Sequence, residues 1–385
     1  MKTIIISLLL LGLTFAQQKE VPHHYKLLNK NTTVFKKDLK KSNNIFEVFS
    51  FTISQKKAPF LRLYFDGSQL NKKSYISITS LYDGKSQIIN SEKLKKWKNS
   101  SMFFNGDELL VEYYKNENDN NSNIILSKLL VGELLSEQDL DGIESICGTE
   151  DNRIPSSHDA VGRIVPIGCT AWISSTGQLV TAGHCVDGST NFYDEIIEFN
   201  IPLSLSDGTI QHPDEEDQYM VNTFVYEYTS SADWSVFSVF ENDFSSLFPI
   251  EAQNSSFVLE QTNSFTSNEG IRITGCGLDG PSPNFGTTSR NQYSQTQQTH
   301  LGEYHSVSGV KINYTADTQP GNSGSPIIHE SNGKAIGVHT NGGCNSYGYN
   351  AGTSLVHSTF WNAFNHFTTV NQVLNNATTV GTVGL

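Results

Sequence analysis

From Ile45 to about Glu133 the chain alternates short runs of β-branched and aromatic residues with polar clusters. Phe46 to Ile53, Phe60 to Phe65, Tyr75 to Leu81 and Glu108 to Tyr114 are four such runs, and Asp66-Gly67-Ser68, Asp83-Gly84-Lys85 and Asn105-Gly106-Asp107 separate them. Strand-length apolar runs bounded by turn residues predict antiparallel β-structure, here a small sandwich. The Asn- and Ser-rich stretch from Asn116 to Asn123 reads as a solvated loop. The same texture returns in the second half, where Ala171 to Ile173, Ile271 to Thr274 and Ala335 to His339 are divided by Gly, Asn, Ser and Asp. Many strands without amphipathic helices between them predict a barrel or sandwich. One helical pattern stands out near the C-terminus: Phe360, Phe364, Phe367, Val370 and Leu374 recur every three or four residues, a stripe expected to pack on the barrel. Leu135 to Ser157 is polar, acidic and contains Pro155, and is read as a linker and processing region.

A chain of 385 residues holds two or three compact units at roughly 150 residues each. Met1-Lys2, the apolar run Ile4 to Leu13 and the ending Thr14-Phe15-Ala16 have the order of a secretory signal peptide, with cleavage expected after Ala16. The run is shorter than the about 20 residues a membrane-crossing helix needs, and no other stretch of that length follows. The expected divisions are 1–16 signal peptide, 17–134 N-terminal pro or accessory β-domain, 135–146 linker, and 147–385 the second, larger β-domain. Five cysteines in an exported chain suggest disulfides with one thiol left over rather than a metal site, and none lies in a CxxC pair. Sequons occur at Asn31, Asn99, Asn120, Asn254, Asn313 and Asn376.

Charge divides the chain at the same place. Residues 1–146 hold 20 Lys+Arg against 16 Asp+Glu, whereas residues 147–385 hold 6 against 23. The two halves attract each other, while the acidic half is repelled by nucleic acid and by anionic membrane, so neither is an expected partner.

Three local motifs carry chemistry. Thr181-Ala182-Gly183-His184-Cys185 places a histidine beside a cysteine, and Cys169 lies 16 residues earlier. A Cys169–Cys185 disulfide would clamp the loop presenting His184, stabilising it by about 3 kcal/mol for a loop of this size. Gly321-Asn322-Ser323-Gly324-Ser325-Pro326 can hold Ser323 on a tight turn with its hydroxyl exposed, and the amides of Gly321 and Ser323 can converge as an oxyanion hole. Ser231-Ala232-Asp233-Trp234 puts a carboxylate ahead of a strand-like run, where it can accept the Nδ1 proton of His184. A GxSxG alone also suggests the nucleophile elbow of α/β-hydrolases, but there the order is Ser, acid, His. Here the order is His184, Asp233, Ser323.

At these residues the sequence resembles the chymotrypsin-fold serine peptidases, and within them the secreted glutamyl endopeptidases. Gly168-Cys169-Thr170 with Cys185, Asp317-Thr318-Gln319-Pro320-Gly321-Asn322-Ser323-Gly324-Ser325-Pro326, and Gly337-Val338-His339-Thr340-Asn341-Gly342-Gly343 carry the likeness, which extends from about Gly148 to Leu374. The resemblance implies an all-β double barrel of two six-stranded units, His184 and Asp233 in the first and Ser323 in the second. It also implies a secreted endopeptidase with polypeptide substrates and its own pro-region as partner, and no cofactor or metal.

In that group a Thr five residues before the nucleophile and a His on the following strand line a pocket for an acidic side chain; Thr318 and His339 hold those positions. Asp317 offers a rival reading, since trypsins keep their Lys/Arg-binding carboxylate six residues before the nucleophile. Thr340-Asn341-Gly342 is the expected edge for substrate pairing by strand addition. Trypsin-like zymogens pair a new N-terminal amine with an Asp before the nucleophile; Asn322 stands there instead. The likeness implies that cleavage near Ser145 or Cys147 frees an amine that completes the acidic pocket. Cys147, Cys276 and Cys344 allow three pairings, of which Cys147 with Cys276 would tie the mature start to the second barrel. The alternative from another class is a non-catalytic binding protein on a peptidase fold, with the front β-domain as adhesive module.

Overall fold

The computed structural model describes residues 20–31, 36–43, 45–134, 145–279, 291–344 and 348–367. The signal-like segment, residues 135–144 of the linker, and Val370 and Leu374 of the helical stripe lie outside them. Among the described residues, no helix is long and apolar enough to cross a membrane.

Residues 20–134 form a two-sheet sandwich. One sheet joins His23–Asn31, Ile125–Gly132, Phe60–Tyr64 and Phe104–Asn105, and the other joins Lys36–Lys37, Phe46–Ser54, Glu108–Asn116, Tyr75–Ser80 and Ser86–Ile89. All four predicted runs are strands, and the predicted turns are made at Gly67, Gly84 and Gly106, each with positive φ. Alternation sets the inner face: along Tyr75–Ser80 the side chains of Ile76, Ile78 and Ser80 are buried. The first strand and the last, His23–Asn31 and Ile125–Gly132, pair antiparallel and close the sandwich. The 116–123 stretch is tied down rather than merely solvated. Buried Asp119 accepts from Ser74, Tyr113 and Ser122, and these bonds outweigh its burial and hold the carboxyl down at about 2.

The second half contains two barrels. Val161–Val165, Cys169–Ile173, Leu179–Thr181, Asp233–Val239, Gln218–Tyr228 and Ile196–Glu198 close the first. In the second, Gln298–Ser308, Gly270–Gly275, Pro326–His329, Lys334–Asn341, Asn350–Ser354 and Lys311–Tyr314 run in sequence, and pairing of Gln298–Ser308 with Lys311–Tyr314 closes the ring. Ile154–Pro155, at the end of the predicted linker, adds a short outer strand. Residues 358–367 are helical, and Phe360, Phe364 and Phe367 are buried in the core cluster of the first barrel, with Phe360 edge-on to Trp234.

Cys169–Cys185 is formed as expected. The remaining pairing is Cys147–Cys344, with Cys276 a buried free thiol. Cys147 thus does tie its segment to the second barrel, but through Cys344, while the Cys276 amide donates to Thr170 Oγ1. Of the sequons, Asn313 is buried and donates to Ser306 Oγ.

Candidate active site

His184 sits in the single helical turn Gly183–Asp187, which begins as soon as the strand Leu179–Thr181 ends. Gly183 is required there: a Cβ at this position would lie 2.1 Å from the Glu227 carbonyl oxygen. The disulfide anchors the next residue, Cys185, to Cys169 on the neighbouring strand. Asp233 opens the strand Asp233–Val239, which pairs with Leu179–Thr181, so the acid and the imidazole emerge at one end of the barrel. Its carboxylate takes two bonds from His184, from the backbone amide at 2.9 Å and from Nδ1 at 2.7 Å. The Asp233 amide donates to Thr353 Oγ1 of the second barrel at 3.1 Å.

Ser323 comes from the second barrel on a turn with Gly321 and Gly324 both at positive φ. Its Oγ lies 2.7 Å from His184 Nε2. The turn is bolted to the first barrel by one residue. Thr170 donates its amide to Ser323 O at 2.8 Å and its hydroxyl to Gly321 O at 2.9 Å, and receives the Cys276 amide at 2.9 Å. A Cβ on Gly324 would lie 2.1 Å from Thr170 O. Among the described residues the amides of Gly321 and Ser323 have no hydrogen-bond acceptor, whereas those of Asn322, Gly324 and Ser325 are paired. Asp233, His184 and Ser323 therefore form one unbroken path along which a proton can leave Ser323 Oγ, with two spare donors next to it. All three side chains are buried, Ser323 completely.

Residues 169–338 match the family model of the trypsin-like peptidase domain. That stretch carries a trypsin-like peptidase domain. No curated protein matches the chain. A solved structure of a Glu endopeptidase in complex with MPD is similar at 19% identity over 58% of this chain and 100% of the other, with a TM-score of 0.43.

The peptidase domain treats the predicted pocket residues unequally. His339 is buried on Lys334–Asn341 with its backbone paired to the nucleophile turn, through Gly324 N to its carbonyl and its own amide to Ser325 O, both 2.8 Å. Its Nδ1 lies 2.5 Å from the hydroxyl of Tyr314, a residue the sequence did not single out. Burial, with His184 nearby, pushes the His339 imidazole down to about 3, and burial holds the Tyr314 phenol well above its ordinary range. With the neutral phenol donating to Nδ1, the His339 proton stands on Nε2. Thr318 is buried, and among the described residues its Oγ1 has no hydrogen-bond partner.

Asp317 is occupied. Its carboxylate accepts from the amides of Cys147 at 2.6 Å and Asn152 at 2.9 Å, and from Asn152 Nδ2 at 3.3 Å. The segment it holds also enters the domain: Ser145 O accepts from Thr318 N at 3.4 Å and from Asn350 Nδ2 at 2.7 Å, and Ile146 is buried. Asn350 then accepts from the Gly343 and Cys344 amides, so one side chain ties Ser145 to the end of the predicted substrate strand. Thr340 and Asn341 end that strand, Gly342 follows it, and all three are buried. Asn322, where a trypsin salt bridge would need a carboxylate, donates its Nδ2 to Gln319 O at 3.1 Å. Thr353, Tyr314 and Asn350 went unnoticed in the sequence, and Thr170 stood out only as part of Gly168-Cys169-Thr170, because a hydroxyl or amide acquires a role only when a distant backbone group arrives beside it.

Cys169, His184 and Cys185 bring ligand-type atoms within 4.8 Å of one another, but the sulfurs are bonded together and the imidazole is engaged on both sides, which leaves no open metal-ligand set.

Proposed function

We propose that this protein is an exported endopeptidase in which Ser323 is the nucleophile, His184 the general base and Asp233 the residue that orients the base. The observation that carries the reading is the Asp233–His184–Ser323 series, with side-chain distances of 2.7 Å at both links. Ser323 Oγ attacks the scissile carbonyl as His184 Nε2 takes its proton, then His184 passes that proton to the leaving amine. Asp233 holds the tautomer and stabilises the imidazolium. Water repeats the sequence on the acyl-enzyme. The amides of Gly321 and Ser323 receive the oxyanion, a donor of this kind being worth on the order of 3 kcal/mol in the transition state.

Substrates carry Glu or Asp before the scissile bond in this reading. The buried, unpartnered Thr318 hydroxyl and the Nε2–H tautomer of His339 support it, since both are donors suited to a carboxylate and such bonds are charge-assisted. Cleavage after Lys or Arg is disfavoured because the Asp317 carboxylate is already engaged by the Cys147 and Asn152 amides and by Asn152 Nδ2. The buried state of Ser323, with Ser145 bonded to Thr318 and Ile146 enclosed, fits a precursor in which a cut near Ser145 or Cys147 frees an amine beside the pocket. The leader-like first 16 residues and two disulfides support export.

Ser323→Ala is expected to lower turnover about a million-fold; unchanged proteolysis removes Ser323 from its role. Matched peptides with Glu, Asp, Lys or Arg before the scissile bond test the pocket, and rapid turnover of Lys or Arg alone overturns the acidic preference. N-terminal sequencing of the active form tests the processing; an active enzyme with residues 17–140 still covalently attached refutes it.

A further inference from the structure

The N-terminal sandwich and the first barrel share one hydrophobic core. Phe60, Leu61 and Phe103 of the sandwich lie in the same cluster as Val165, Ile196, Ile210 and Met220 of the barrel. Polar groups at the boundary are matched across it. Gln218 accepts from the Phe103 amide at 2.9 Å and donates to the Phe103 carbonyl at 3.0 Å. Asn105 makes the same reciprocal pair with His212, at 2.8 and 3.0 Å. Fully buried Arg62 donates to the Asp194 carbonyl at 2.6 Å.

His212 carries the contact deeper. Its ring stacks on Phe103 and meets Phe60 edge-on, and its Nδ1 lies 2.6 Å from Glu198. Glu198 pairs with Arg163 at 2.7 Å, and Arg163 donates to the Gln295 carbonyl beyond the first barrel, also at 2.7 Å. Removing the sandwich would open this buried ionic series to water on one side. At the rim, Lys85–Asp214, Lys93–Glu215 and Lys96–Asp243 set sandwich lysines against peptidase-domain acids. An apolar centre with reciprocal polar pairs across it and a charged rim is the anatomy of a lasting interface rather than of a module held only by its tether.

The covalent connection is separate from this seat. All five cysteines lie at 147 or later, so no disulfide spans a cut made between residues 134 and 145. We propose that the N-terminal sandwich stays bound to the first barrel as a non-covalent subunit after such a cut, with the surface around His212, Gln218 and Met220 as its permanent seat. The mature particle is then two-chained, and the sandwich is a structural part of it rather than a discarded pro-segment. The inference is independent of the peptidase reading, because the cut can be made by another enzyme.

The test inserts a Gly- and Ser-flanked recognition site for a sequence-specific protease between residues 134 and 145 of the Ser323→Ala chain. After complete cutting, non-reducing denaturing electrophoresis should show two separate fragments. Gel filtration at physiological ionic strength should show both at the elution volume of the uncut protein, and native mass spectrometry should give their summed mass. A sandwich fragment that elutes apart from the peptidase domain, whether the latter stays soluble or aggregates, overturns the proposal.

Discussion

Tyr314 and His339 stand on the strands Lys311–Tyr314 and Lys334–Asn341, which are separated by Asn350–Ser354, and their side chains meet in the buried interior of the second barrel. The hydroxyl decides which ring nitrogen of His339 keeps its proton, and so which edge of the ring can donate to a substrate. Tyr314→Phe removes that donor and leaves Nδ1 buried without it, at a cost of roughly 1 to 2 kcal/mol. The expected result is about a tenfold fall in kcat/KM for Glu substrates, with unchanged reaction of Ser323 toward a small neutral acylating agent. Equal losses in both assays would mean that Tyr314 only supports the fold. His339 was legible as a pocket candidate from its place in Gly337-Val338-His339, whereas Tyr314 was not, since a Tyr in a strand more often supplies core volume than a hydrogen bond.

The nucleophile turn is the element in which sequence and structure agree most closely. Its glycines reported a backbone conformation before any coordinates did: Gly321 and Gly324 have φ of 101° and 90°, outside the range that L side chains adopt freely. What they make room for was invisible, because Thr170 is 153 positions away from Ser323. Gly324→Ala would combine positive-φ strain with a Cβ 2.1 Å from the Thr170 carbonyl. A loss of about 3 kcal/mol or more in stability is expected, together with loss of activity, read by thermal unfolding and by peptide turnover. An alanine variant with wild-type stability would show that this turn shifts freely. The helix-like stripe also held as far as Phe367, its buried Phe residues being those that the three-to-four spacing selected.

At the scale of the molecule, burial of charge sets how stability follows pH. Burial raises Glu195 and Glu215 to about 7, only partly opposed by bonds from Ser189 and Ile167 to the first and by Lys93 beside the second. Their ordinary value is near 4.5, so between about 4.5 and 7 the folded state holds more protons than the unfolded one, and stability falls as pH rises. His339 acts in the opposite sense: lowered from 6.5 to about 3, it makes the unfolded state the better proton binder in that window, and stability falls as pH drops. Glu195→Gln keeps the shape and an acceptor oxygen but removes the charge. Its melting temperature relative to wild type should rise between pH 5 and pH 8; a flat difference would show that Glu195 is not the source of the alkaline loss. The basic front half and acidic back half predicted attraction between the domains, and the lysine–carboxylate pairs at the rim are where it is realised.

The sequence by itself determined the all-β character, the turns and the order of His184, Asp233 and Ser323, because alternation, glycine conformation and motif spacing are properties of neighbouring residues. Tertiary structure alone decided the rest. It joined Cys147 to Cys344 across 197 positions, turned Asp317 inward onto the Cys147 and Asn152 amides, and seated the sandwich through Phe103, Asn105 and His212. A carboxylate's role depends on which donors reach it first, and a cysteine's on which sulfur is brought within bonding distance. Neither is encoded in the residues on either side.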